Sequence, residues 1–175
     1  MEKTILFFCD INGTIEGKFH NKEEDYLKFN NILNTISNYN DNCRILFSLV
    51  STENEDVVEQ YFNIMRDHLD GSVSFGKQFY EDGYLTIDGC TKSFTGKSHQ
   101  IINYIEEVSN NSNLTRVYYT DDSEFSHELI TECVKIEHYN LPVNSIIPRD
   151  CLGLSEVNVL LEKDLNLSKR GSCHL

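Results

Sequence analysis

The sequence has no apolar run approaching the roughly 18 residues of a membrane span. Its N-terminus also lacks the basic, apolar, small-residue order of a signal peptide. A soluble, cytoplasmic protein without a membrane partner is therefore expected. Basic residues are in short supply: 15 Lys and Arg stand against 28 Asp and Glu, a formal net charge of -13. Phosphate backbones and anionic lipids are bound chiefly through Lys and Arg, so a strong general affinity for nucleic acid or anionic lipid is not expected, while a local basic spot is not excluded. The six cysteines are scattered, with no C-x-x-C pair, and no disulfide framework is expected. The terminal "SCHL", with Cys173 and His174, is a lone soft-ligand pair at an end expected to fray, and no zinc site is expected there. Internal repeats and low-complexity linkers are absent as well.

What the sequence does have is enough length for one sizeable core, because a chain of 175 residues buries roughly 70% of its unfolded surface on folding. One domain over 1–168 is expected, with 169–175 as a loose tail. "KTILFFCD" is a short apolar run of the kind that fills a buried strand. Tyr26, Phe29, Leu33 and Ile36 then recur at helical spacing. "RILFSLVS" predicts a second strand, and Val58, Tyr61, Met65 and Leu69 a second helix. The 71–96 stretch has room for one or two short strands or a hairpin. A helix over "SHQIINYIEEV" leads into the strand "TRVYYTDD". A short helix from Phe125 to Cys133, a strand over "VKIEHYN" and a helix opening at Ser155 as N-cap complete the reading. Alternating strands and helices predict an α/β fold: a Rossmann-like, doubly wound, mainly parallel sheet with helices on both faces. Ligands in such sheets sit outside the carboxyl ends of the strands. Those ends fall at Asp10, around Ser48 to Thr52, and at Asp121 with Asp122.

In chain order, "DINGT" after "ILFFC", a strand ending in serine, a lysine opening a helix, and a strand ending in "DD" resemble the four motifs of the haloacid dehalogenase-like superfamily of phosphohydrolases. The resemblance covers the chain from Ile5 to about Asp122. It implies a capless or minimally capped phosphatase that works through an aspartyl-phosphate on Asp10. In that reading a Ser or Thr at the end of the second strand holds phosphoryl oxygens, and Lys97 offsets their charge. Ser51 is preferred to Ser48 for this contact, with Thr52 beside it at an expected helix start whose N–H groups favour an anion. Ser48 is expected to be a buried hydroxyl bonded to backbone. Lys77 and Lys92 are alternatives to Lys97. "TGKS" is similar to the end of a phosphate-binding P-loop, but Thr91 stands where that motif needs glycine.

The chemistry of the residues agrees. A carboxylate at a strand end, flanked by the N–H groups of the Gly13-Thr14 turn, can attack phosphorus and split one hard step into two. A dianionic ester repels that carboxylate, so a hard cation held by oxygen ligands is needed. Mg²⁺ is expected on Asp10, the backbone carbonyl of Asn12 and Asp121, with Asp122 either a further ligand, directly or through water, or the residue that holds Lys97 in place. Asn12 is the departure from the family pattern, because relatives carry there the Asp that protonates the leaving group and activates water. An amide does neither, and general acid–base catalysis is worth about 10²- to 10⁴-fold. A slow native enzyme, a pocket kept for binding only, and an inactivated form of an active phosphatase all accommodate Asn12. A phosphorylated metabolite or phosphoprotein is the expected substrate, and a neighbouring copy in a homo-oligomer could serve as a lid. A receiver-like signalling domain fits less well, because its acid pair lies on the first strand. His20, His68, His127 and His138 are read as exposed surface or packing residues, His99 as a residue that could touch substrate, and Cys9 as turned away from the site.

Overall fold

The computed structural model describes residues 1–80, 86–87, 90–91, 93–138 and 140–172, with side chains described for these outside 86–98 and 172. Its elements are β1 (Lys3–Cys9), α1 (Glu23–Tyr39), β2 (Arg44–Leu49), α2 (Glu55–His68), β3 (Val73–Phe75), β4 (Thr86–Ile87), β5 (Cys90–Thr91), α3 (Ser93–Asn111), β6 (Asn113–Thr120), α4 (Glu124–Glu137), β7 (Val143–Ile146) and α5 (Leu154–Ser172). Five strands form one all-parallel sheet in the order β3-β2-β1-β6-β7. The fold is α/β, Rossmann-like and doubly wound. β4 and β5 form a separate antiparallel pair, within the 71–96 stretch that has room for one or two short strands or a hairpin. Among the described residues no helix is long and apolar enough to cross a membrane.

Side chains alternate across β1 and feed two cores. Ile5, Phe7 and Cys9 meet α1, α2 and α5 through Phe29, Leu33, Val58, Met65, Val157 and Leu161. Leu6 and Phe8 meet α3 and α4 through Ile101, Ile105, Ile130 and Val134. Phe7 lies between the rings of Phe47 and Tyr118, with centroids 5.8 and 5.5 Å away, so the three central strands are joined by stacked aromatics.

Local chemistry sets the helix starts. The Asp25 carboxylate accepts the Lys22 N–H at the head of α1 (2.7 Å). Asn54 Oδ1 accepts from Val57 N at α2 (3.1 Å), and the Ser123 hydroxyl accepts from Ser126 N at α4 (3.3 Å).

Four boundaries differ from expectation. Among the described residues of 134–140 there is no strand. α4 runs on to Glu137 because Ile130 and Val134, one turn apart, both face the core; strand propensity in "VKI" gives way to packing. The strand follows after Pro142, as β7. α5 opens at Leu154 directly after Gly153, whose φ is +87°, which puts Ser155 inside the helix. The same helix extends to Ser172, into the 169–175 tail. α3 begins at Ser93, so Lys97 stands on the helix rather than before it. Cys173 and His174 lie outside the described residues.

Candidate functional site

The chain leaves β1 toward β2 on one side, while β6 lies on the other side of β1. Between β1 and β6 the winding direction reverses, which opens a crevice at the carboxyl ends of the two strands. Asp10 follows β1 directly and Asp121 follows β6 directly. The Asp10 N–H donates to the Thr120 carbonyl (2.8 Å), locking the two strand ends together. Carboxylate oxygens of Asp10, Asp121 and Asp122 all lie within 4.8 Å of one another. Asp10 and Asp121 are 6% and 1% exposed, while Asp122 is open to solvent. Three hard oxygen donors at this separation suit a cation such as Mg²⁺ or Ca²⁺.

The turn after Asp10 is pinned from below. Ile11 and Ile15 are fully buried on the α1 face, and the Ile11 carbonyl accepts from both Thr14 N (3.2 Å) and Glu16 N (2.8 Å). Between them Gly13 adopts φ +72°. A Cβ there would lie 2.4 Å from Asp122 Oδ2, so only glycine lets the second acid approach the turn. Thr14 is fully buried, with no partner for its hydroxyl among the described residues.

Asp121 is held by several donors. Its Oδ2 accepts from the Tyr119 hydroxyl and its Oδ1 from Ser123 N (2.9 Å). Its carbonyl meets His127 Nε2 at 2.7 Å. His127 is buried, with its ring 4.5 Å from that of Tyr119, which corrects its reading as an exposed histidine. The signal was in the sequence: His127 shares a helical face with Ile130 and Val134. Cys151, with φ +53°, brings its thiol to 3.9 Å from Asp122 Oδ2. Burial pushes that thiol's pKa up, and the Asp122 carboxylate adds to the shift.

From β2, Ser51 is 4% exposed and its hydroxyl accepts from Glu53 N (3.1 Å). α2 starts only at Glu55, with Asn54 as its cap, so Ser51 and the exposed Thr52 precede the helix rather than open it. Ser48 is fully buried, and its hydroxyl has no partner among the described residues. The backbone bond expected for it is absent among the described residues. Asn12 Nδ2 donates to Glu53 Oε1 at 2.7 Å. Lys97 lies on α3, and its side chain is outside those described. Lys77 pairs with Glu107 instead; Lys92 is not described. His99 is exposed on α3, and Cys9 faces the α1 core as expected.

Asp10, Gly13, Asp121 and Asp122 thus meet at one strand-end crevice, with Asn12 tied to Glu53 at its β2 side. No family model matches the chain, and no curated protein matches it.

Proposed function

We propose that the chain is a Mg²⁺-dependent phosphohydrolase or phosphotransferase acting through an aspartyl-phosphate on Asp10. The observation that carries the reading is the convergence of the Asp10, Asp121 and Asp122 carboxylates within 4.8 Å at the reversal point of the sheet. The order of motifs, similar to that of haloacid dehalogenase-like phosphohydrolases, supports it independently.

Asp10, Asp121, Asp122 and the Asn12 carbonyl would hold the ion, which supplies charge neutralisation for a dianionic ester. Asp10 attacks phosphorus, and the alcohol oxygen departs as the aspartyl-phosphate forms. The lack of a side chain at Gly13 leaves room for a phosphoryl oxygen to approach its N–H, and Ser51 and Lys97 take the remaining oxygens. Water then attacks phosphorus, releasing phosphate and restoring Asp10. Asn12 cannot move a proton in either half, so turnover is slow by about 10²- to 10⁴-fold unless another group does so. The substrate is a phosphoric monoester on a small metabolite or on a protein.

The test is hydrolysis of p-nitrophenyl phosphate and acetyl phosphate with and without Mg²⁺. The expected outcome is metal-dependent turnover that disappears in Asp10→Asn. Turnover that survives this substitution overturns the reading. Phosphate binding without turnover, in Asn12→Asp as well as in the parent chain, favours a binding module.

A further inference from the structure

The side chain that lacks proton chemistry is hydrogen-bonded to one that has it. Asn12 Nδ2 donates to Glu53 Oε1 at 2.7 Å, and no other hydrogen bond to the Glu53 carboxylate occurs among the described residues. Glu53 comes from the loop after β2, whose last residue, Leu49, pairs in register with Cys9 just before Asp10. The loop is held at that level by Val50 N on the Cys9 carbonyl (2.9 Å), by Ser51 N on the Phe79 carbonyl (3.0 Å) and by Glu53 N on the Ser51 hydroxyl (3.1 Å). Glu53 is half-buried at the same end of the sheet as the three aspartates. A carboxylate fixed by backbone anchors one hydrogen bond from position 12 is placed to serve a reaction centred beside that position.

We infer that Glu53 is the proton-handling residue of this site, supplied by the β2 loop in place of an acid at position 12. The inference rests on the reading of Asp10 as phosphoryl acceptor. When water attacks the aspartyl-phosphate, its oxygen forms the new P–O bond as Glu53 takes one of its protons. The bond from phosphorus to Asp10 breaks, and its electron pair returns to the Asp10 carboxylate. In the next turnover Asp10 attacks a fresh ester, the bond to the leaving oxygen breaks, and that oxygen takes the proton from Glu53. The proton gained in one half is spent in the other, and no further reactant is needed. Asn12 has a positioning role here: its amide donates to one carboxylate oxygen and leaves the other for water.

Glu53→Gln is the informative variant, because its amide oxygen can still accept from Asn12 while it can no longer take up a proton. Phosphorylation by acetyl phosphate with Mg²⁺, followed by acid quench and intact-mass analysis, should show the aspartyl-phosphate accumulating in Glu53→Gln and decaying slowly. Steady-state kcat with p-nitrophenyl phosphate should fall by about 10²- to 10⁴-fold, with the Mg²⁺-induced shift in melting temperature unchanged. Glu53→Asp, which keeps the carboxylate one methylene shorter, should recover part of the rate. Wild-type rates and no lingering phosphoenzyme in Glu53→Gln, alongside an inactive Asp10→Asn, overturn the role of Glu53 and leave the Asp10 reading standing. A parent chain that forms no phosphoenzyme and hydrolyses neither ester overturns both.

Discussion

The Tyr119 hydroxyl donates to the carboxylate of Asp121, two residues further along the chain. Both groups are buried, so the bond fixes which way the carboxylate faces before any cation arrives. Partners of this kind are worth about 10- to 100-fold in metal affinity. Tyr119→Phe is therefore expected to weaken Mg²⁺ binding by about that factor with the fold intact, since the ring still fills its place beside His127. Calorimetric titration with Mg²⁺ checks this, and equal affinities in the two proteins would remove Asp121 from the ligand set.

Gly13→Ala should be damaging for two separable reasons. A φ of +72° costs a residue with a Cβ roughly 1–2 kcal/mol, about 2–8 °C of melting temperature in a chain of this size. The same Cβ would also meet Asp122 Oδ2 at 2.4 Å, so the variant should lose its Mg²⁺-induced thermal shift as well. A variant that melts lower but still responds to the ion would separate the turn from the site.

Gly17 presses against backbone rather than side chain. A Cβ on it would lie 2.1 Å from Gly153 N and 2.6 Å from the Cys151 carbonyl oxygen, and no rotamer change relieves that. Gly17→Ala should therefore push the 11–22 segment away from the loop before α5 and break the bond from Lys18 N to the Cys151 carbonyl (2.7 Å). Hydrogen exchange at the Lys18 amide should speed up, while amides in the middle of α2 keep their protection.

Tyr118 and Tyr61 should titrate late. Burial, followed by the Asp164 charge, pushes the Tyr118 phenol up to about 12. Burial and then Glu16 do the same for Tyr61, also to about 12. For an acid whose folded pKa is raised, the stabilisation is complete below the unfolded value near 10 and is lost as pH climbs through the folded value. Phenolate absorbance from these two rings should appear only near pH 12, accompanied by a drop in stability from about pH 10 upward. Tyr118→Phe should flatten that drop.

Much of this was legible because burial writes itself into composition. "ILFFC" and "RILFSL" contain almost nothing that a solvent-facing strand would carry, and β1 and β2 lie where those runs predict. The strand ends at Asp10 and Asp121 could be read for the same reason: each is the first ionisable residue after a stretch of core. β7 could not, because "VNSI" is an edge strand paired on one side, while the more apolar "VKI" before it belongs to a helix face. The partnership of Asn12 with Glu53 joins residues 41 positions apart, and no local spacing encodes it. His127 needed its helical face to be read together with the acid it supports.

β1 is the central strand of the sheet, and its two neighbours arrive in the chain at very different times. Lys3 pairs with Asn113, so one flank of β1 stays unsheltered until the chain has been synthesised as far as β6. Such distant pairings slow folding. During translation the aromatic run of β1 would present an open, adhesive edge, and a chaperone holding the nascent chain would find its natural grip there.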